Sequence, residues 1–78
     1  MANKPRGKRT SSGFGARLRQ LREAADLTQE ALAERAGMHY QAVARYERGA
    51  AEPTWPVVLR LAKALGVELN DFAPPADE

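Results

Sequence analysis

The sequence contains no cysteine, which removes disulfides, thiolate catalysis and cysteine-based zinc sites together and fits a reducing compartment. It has a single histidine, His39, and one histidine cannot assemble a metal site. No glycine-rich phosphate loop is present. No acidic pair stands out as a general acid and base, so no nucleophile–base constellation supports an enzyme. No apolar run approaches the roughly 18 residues of a membrane span, and the polar N-terminus lacks the apolar stretch of a signal peptide. The expectation is a cytoplasmic protein that is neither enzyme nor membrane protein and carries no cofactor or metal. Period-two alternation is also missing and β-branched residues are few, so the fold class is all-α.

What remains is one small domain. The 78 residues are 44% hydrophobic and 28% charged, an ordinary globular composition with room for a single modest core. The net charge of +2 hides an uneven layout. Residues 1–12 hold Lys4, Arg6, Lys8 and Arg9 with no acid, whereas residues 13–73 hold eight basic and eight acidic side chains. Residues 74–78 form a short tail with Asp77 and Glu78. The division is therefore a disordered basic arm (1–12), a folded domain (13–73) and a tail (74–78). A basic arm on a neutral body points to a polyanionic partner. The competing reading is a merely solvated terminus.

Five helices are expected in the folded part. Phe14, Leu18, Leu21 and Ala25 recur at helical spacing and define the first, with Ser12 as its N-cap and Asp26 as the left-handed residue that closes it. The second opens at Thr28, another N-cap, with Glu30 complementing its positive end. It buries Leu32, Ala33 and Ala36 and stops at Gly37. The third runs from Tyr40 to Arg48 and ends at Gly49. Its Val43, Tyr46 and Glu47 lie on one side, and Tyr40, Gln41, Ala44, Arg45 and Arg48 on the other. The fourth, Trp55 to Leu65, follows Thr54 as N-cap, tolerates Pro56 in its first turn, and is expected to turn Trp55, Val58, Leu61, Ala62 and Leu65 inward. Gly66 ends it. Val67, Leu69 and Phe72 suggest a short fifth helix before Pro74 and Pro75.

The segment Gln29–Arg48 has the requirements of a helix-turn-helix. Two short helices meet at Gly37–Met38–His39, where the glycine supplies a positive φ at no steric cost. Ala33 is small where the helices cross. Leu32, Ala36, Met38, Val43 and Tyr46 form the apolar set that fixes the crossing angle.

The stretch from Phe14 to Phe72, about three-quarters of the chain, resembles the Cro/phage-repressor helix-turn-helix family (XRE-like transcriptional regulators). The residues that carry the resemblance are LRQLREAADLTQEALAERAG, then RYERG, EPTW and LRLAKALGV. It implies that the second and third helices form the DNA-reading pair. It also assigns roles. Gln29 and Thr28 at the start of the second helix, Arg48, and Thr54 with the amides after it match phosphate-contacting positions. Tyr40, Gln41, Ala44 and Arg45 match base-facing positions. There Gln41 suits adenine, Arg45 suits guanine, and Ala44 a thymine methyl. His39, Lys8 and Arg9 are further candidates for DNA contact. Arg22 and Glu47 match an ion pair that ties the first helix to the end of the third.

Two residues depart from the family pattern: His39 stands where Ser or Thr usually caps the recognition helix, and Asp26 replaces a frequent Gly. Each assignment also has a plainer competitor. Tyr40 can pack on its own helix, Gln41 and Arg45 can be solvated, and His39 can be a weak cap. Trp55 reads as core. The resemblance implies a regulator, more specifically a repressor, that binds an inverted-repeat operator as a homodimer. Its dimer surface is expected at Val57, Leu59, Leu69 and Phe72, unless Phe72 closes the monomer core instead. The alternative from another class is a protein-binding adaptor on the same fold, such as a coactivator or an antitoxin.

Overall fold

A computed structural model describes residues 13–72. The basic arm, Ser12 and the tail lie outside the described residues. Four α-helices follow one another: α1 (Phe14–Ala24), α2 (Gln29–Ala36), α3 (Tyr40–Arg48) and α4 (Trp55–Leu65). The expected fifth helix is a single 3-10 turn, Leu69–Phe72. Only four residues separate Glu68 from Ala73, and Pro74 disfavours helical geometry at the residue before it, so an α-helix has no length in which to form.

Local chemistry fixes the helix ends. Thr28 caps α2 by accepting from the Ala31 N–H at 3.0 Å, one of the donors a helix start leaves unpaired. α2, α3 and α4 each close on a left-handed glycine, with φ of 73° at Gly37, 77° at Gly49 and 74° at Gly66. At each, the next residue's N–H returns to a carbonyl of the last turn: Met38 to Ala33, Ala50 to Arg45 and Val67 to Ala62. This is the Schellman closure. α1 has no such glycine and ends through Asp26 at φ 65°, as expected. The N-cap position of α1 falls on Gly13 at φ 100°, with no side-chain cap bond. Ala25, expected on the inner face, is exposed because it is already the C-cap residue.

The core has one fully buried aliphatic side chain from every helix: Leu18, Leu32, Val43 and Leu61. Each is worth about 1.5–3 kcal/mol over leaving it in water. Ala33, Ala36 and Leu65 complete the cluster, and Phe14, Leu21, Met38, Tyr46 and Phe72 pack around it. α1 and α3 approach closely at Gly15. A Cβ there would sit 2.5 Å from the Tyr46 carbonyl oxygen and 2.8 Å from that of Glu47, so no larger residue fits without separating the helices.

Three apolar residues are placed differently from expectation. Trp55 is 63% exposed rather than inward. It occupies the first position of α4, beyond the edge of the core that Leu61, Ala62 and Leu65 bury about two to three turns later. Val57, expected off the core, packs against it. Phe72 takes the monomer-closing alternative: its ring stacks on Phe14 at 5.2 Å between centroids. Arg17 holds that turn in place by donating to the Asp71 carbonyl at 2.6 Å. Leu59 lies off the core as expected, 43% exposed. Among the described residues, no helix is long and apolar enough to cross a membrane.

Candidate nucleic-acid interface

α2 and α3 are joined by Gly37–Met38–His39. Val43 and Tyr46 turn the inner side of α3 to the core, which leaves the opposite side to solvent. There Tyr40, Gln41, Ala44, Arg45 and Arg48 line one shallow groove. The spacing explains it, since these positions follow one stripe of a 3.6-residue helix. Tyr40 is 46% exposed. Gln41, Arg45 and Arg48 are exposed and Ala44 is half-buried. Among the described residues, neither Arg45 nor Arg48 forms a salt bridge. The surface is thus a row of long donors around one small apolar residue.

Behind the stripe is a three-helix polar network. Arg22 of α1 donates to Glu47 of α3 through Nε at 2.6 Å and Nη2 at 3.1 Å. Its Nη1 donates to the Leu27 carbonyl at 2.8 Å. The side chains are only 12% and 5% exposed, respectively. Bidentate geometry with the third guanidinium nitrogen also donating is what a largely buried ion pair requires. The hydrogen bonds to Glu47 raise the Arg22 pKa above the ordinary arginine value; desolvation opposes this, and the Glu47 and Glu23 charges add to it. A raised pKa means the pair's contribution is fully present below the ordinary arginine range and is lost only above it. Titration of Arg22 therefore leaves the pair intact across the neutral range.

Glu47 Oε1 also accepts from Gln29 Nε2 at 3.1 Å. An amide nitrogen has two N–H donors, so Gln29 is oriented by one and keeps the other. Gln29, Arg48 and Ala44 share a second concavity with Arg19. Arg19 is exposed, off the apolar period of α1, and the sequence pattern alone gives it no role. The signal that could have found it is its position three residues before Arg22, one turn along the same helix. It pairs with Glu23 at 3.1 Å, with both side chains more than half exposed, an arrangement worth little energetically and easily exchanged for another partner.

The other candidates fall as follows. The Thr28 hydroxyl is occupied as a cap. Thr54 occupies the N-cap position of α4 but makes no side-chain cap bond, so its exposed hydroxyl has no role in closing the helix. His39 holds the N-cap position of α3, also without a cap bond, and is exposed beside Tyr40. Lys8 and Arg9 lie outside the described residues.

This sequence matches the helix-turn-helix domain family over residues 14–74. An uncharacterized HTH-type transcriptional regulator of Sinorhizobium fredii, y4dJ, is 38% identical over 64 residues, covering 82% of this chain and 83% of the relative. Among solved structures, the restriction-modification controller protein C.AhdI of Aeromonas hydrophila superimposes with a TM-score of 0.76 at 39% identity, over 78% of this chain and 92% of that one. The P22 c2 repressor, solved in complex with a synthetic operator, gives 0.70 at 30% identity, over 76% and 89%. With the exposed stripe on α3, the capped start of α2 and these likenesses, the chain belongs to the helix-turn-helix family of DNA-binding transcriptional regulators, of the Cro/phage-repressor type.

Proposed function

We propose that this regulator is a sequence-specific repressor that reads an inverted-repeat operator as a homodimer, with α3 in the major groove of each half-site. The observation that carries the reading is the single groove lined by Tyr40, Gln41, Ala44, Arg45 and Arg48 on a helix whose other side is locked into the core. Arg45 has the fork geometry for guanine O6 and N7, Gln41 the amide for adenine, and Ala44 the methyl to meet a thymine methyl. Tyr40 and His39 stand at the tip of the helix. Thr28, Gln29, Arg48 and Thr54, joined by Arg19, flank the stripe and serve as phosphate contacts that set register without reading sequence. Lys8 and Arg9 add backbone affinity.

A single recognition helix covers too few base pairs for a unique address. Two copies with recognition helices about 34 Å apart, one turn of DNA, make the operator a pseudo-palindrome. Since Phe72 and Val57 are engaged in their own core, the partner surface is the remaining exposed side of α4 around Leu59. The experiment is selection of bound sites from random duplex DNA by the full chain and by Arg45→Ala. The expected result is a two-fold symmetric site in which the variant relaxes one base pair per half, at a cost of about 1–3 kcal/mol. An Arg45→Ala variant that selects an unchanged site would sink the base-reading assignment.

A further inference from the structure

α4 carries its largest side chain where the domain cannot cover it. Trp55 is 63% exposed and Leu59, one turn along the same side, 43% exposed. The same end of the molecule has a cleft of about 280 Å³ between the start of α1, the end of α3 and the segment that leads into α4. Its walls are Phe14, Tyr46, Ala51, Pro53 and Val58, and Glu52 is its one charged group. Trp55 is not part of the lining, so the chain's own indole leaves the cleft open.

We propose that this cleft receives Trp55 of a second copy, and that reciprocal exchange of the two indoles about a two-fold axis builds the homodimer. The proposal rests on the homodimeric reading above and gives that reading its contact. Shape and chemistry agree. The cleft has room for an indole, its walls are apolar, and a buried indole N–H needs an acceptor, which the Glu52 carboxylate supplies. A small-molecule site would bring several convergent polar groups together, whereas the only charged side chain in this lining is Glu52.

Symmetry points the same way. The knob at residue 55 and the wall residues Ala51, Glu52 and Pro53 belong to one short stretch of chain. A patch carrying both knob and hole is self-complementary, so one two-fold axis satisfies both and the assembly closes as a dimer rather than growing into a fibre. Leu59 then faces the axis. The cleft shares no lining residue with the groove on α3, so the exchange leaves the DNA-reading stripe uncovered. Two indoles and two leucines make a contact well below the standard interface of about 1,600 Å². Association in solution is therefore weak and is completed on a two-half-site operator.

Trp55 is the only tryptophan, so intrinsic fluorescence reports on it alone. Emission and acrylamide quenching are followed against protein concentration, with sedimentation in parallel, for the full chain free and on a two-half-site operator. The expected result is a shift to shorter wavelength and a fall in quenching that track the dimer fraction. Trp55→Ala should weaken self-association at least tenfold and abolish cooperativity between half-sites. Ala51→Phe, which fills the cleft from within, should do the same while Trp55 emission stays that of an exposed indole. Helical circular dichroism should be retained in both. A dimer that forms with undiminished affinity in both variants overturns the exchange and leaves the homodimer standing. Emission already shifted in the monomer overturns it in favour of an internal indole. A protein that stays monomeric and occupies half-sites independently overturns the homodimer and the exchange together.

Discussion

Gly15 sits in the middle of no motif, yet it is among the least replaceable residues in the chain. A Cβ at that position meets the carbonyl oxygens of Tyr46 and Glu47, backbone atoms that cannot step aside. Gly15→Ala improves helix propensity by about 1 kcal/mol, but the overlap forces α1 off α3. The net effect expected in urea denaturation is a loss of about 1–3 kcal/mol. Asp26 offers the opposite case. It holds a left-handed conformation at φ 65° that glycine adopts without strain, so Asp26→Gly should raise stability by up to about 1 kcal/mol. The two residues differ in how far sequence reveals them. Asp26 follows the last apolar position of a helical period and announces itself as a terminator, whereas a glycine inside a helix gives no sign of what lies against it. Trp55 escaped for a related reason: a helical period extends equally well one position too far, and only packing shows where the core stops. The Arg22–Glu47 pair joins residues 25 apart in sequence, which no local pattern relates; the likeness to repressors was what pointed to it.

At the scale of elements, α1, α2 and α3 share one polar junction, and that junction separates stability from recognition. Glu47→Ala leaves the Arg22 guanidinium nearly dry and unpaired, at a cost approaching the roughly 3–5 kcal/mol typical of broken buried pairs. The double change Arg22→Met with Glu47→Leu removes both charges and should restore most of that stability in thermal unfolding. It cannot restore the acceptor for Gln29 Nε2, so DNA affinity should stay reduced, with equal loss on all sequences because Gln29 is assigned to phosphate. A double variant with full stability and undiminished affinity would show that Gln29 needs no orientation. The bounds of α2, α3 and α4 were readable in advance because each starts at a capping position and stops at a glycine. The exposed stripe of α3 was readable because polar reach and apolar packing separate cleanly on a helix this short. The last turn was not: four residues before a proline carry an apolar pattern that fits a helix, a 3-10 turn or a dimer surface alike, and the ring of Phe14 decided the matter.

The whole molecule has a balanced body and a basic arm in sequence, and this makes the response to salt informative. Removing one phosphate-binding cation should flatten the slope of log affinity against log salt by about one unit. Deleting residues 1–10 removes Lys4, Arg6, Lys8 and Arg9. It should lower affinity for specific and random duplexes together and make binding less salt-sensitive. An unchanged slope would mean that the arm touches no phosphate. Arg48→Ala should flatten the slope by the equivalent of a single cation per half-site while leaving the preferred sequence intact.

The four fully buried aliphatic side chains, one from each helix, have a consequence for how the protein behaves without DNA. No helix can swing out alone, because each would carry its own central side chain into water and open a void under the other three. Amide hydrogens in the middle of α3 should therefore exchange with deuterium only through global opening, at the rate of those in α1 and α4, although the outer side of α3 is bathed in solvent. The exposed face of α3 waits in its final shape, and the entropy of ordering it is settled when the chain folds rather than when it meets a partner.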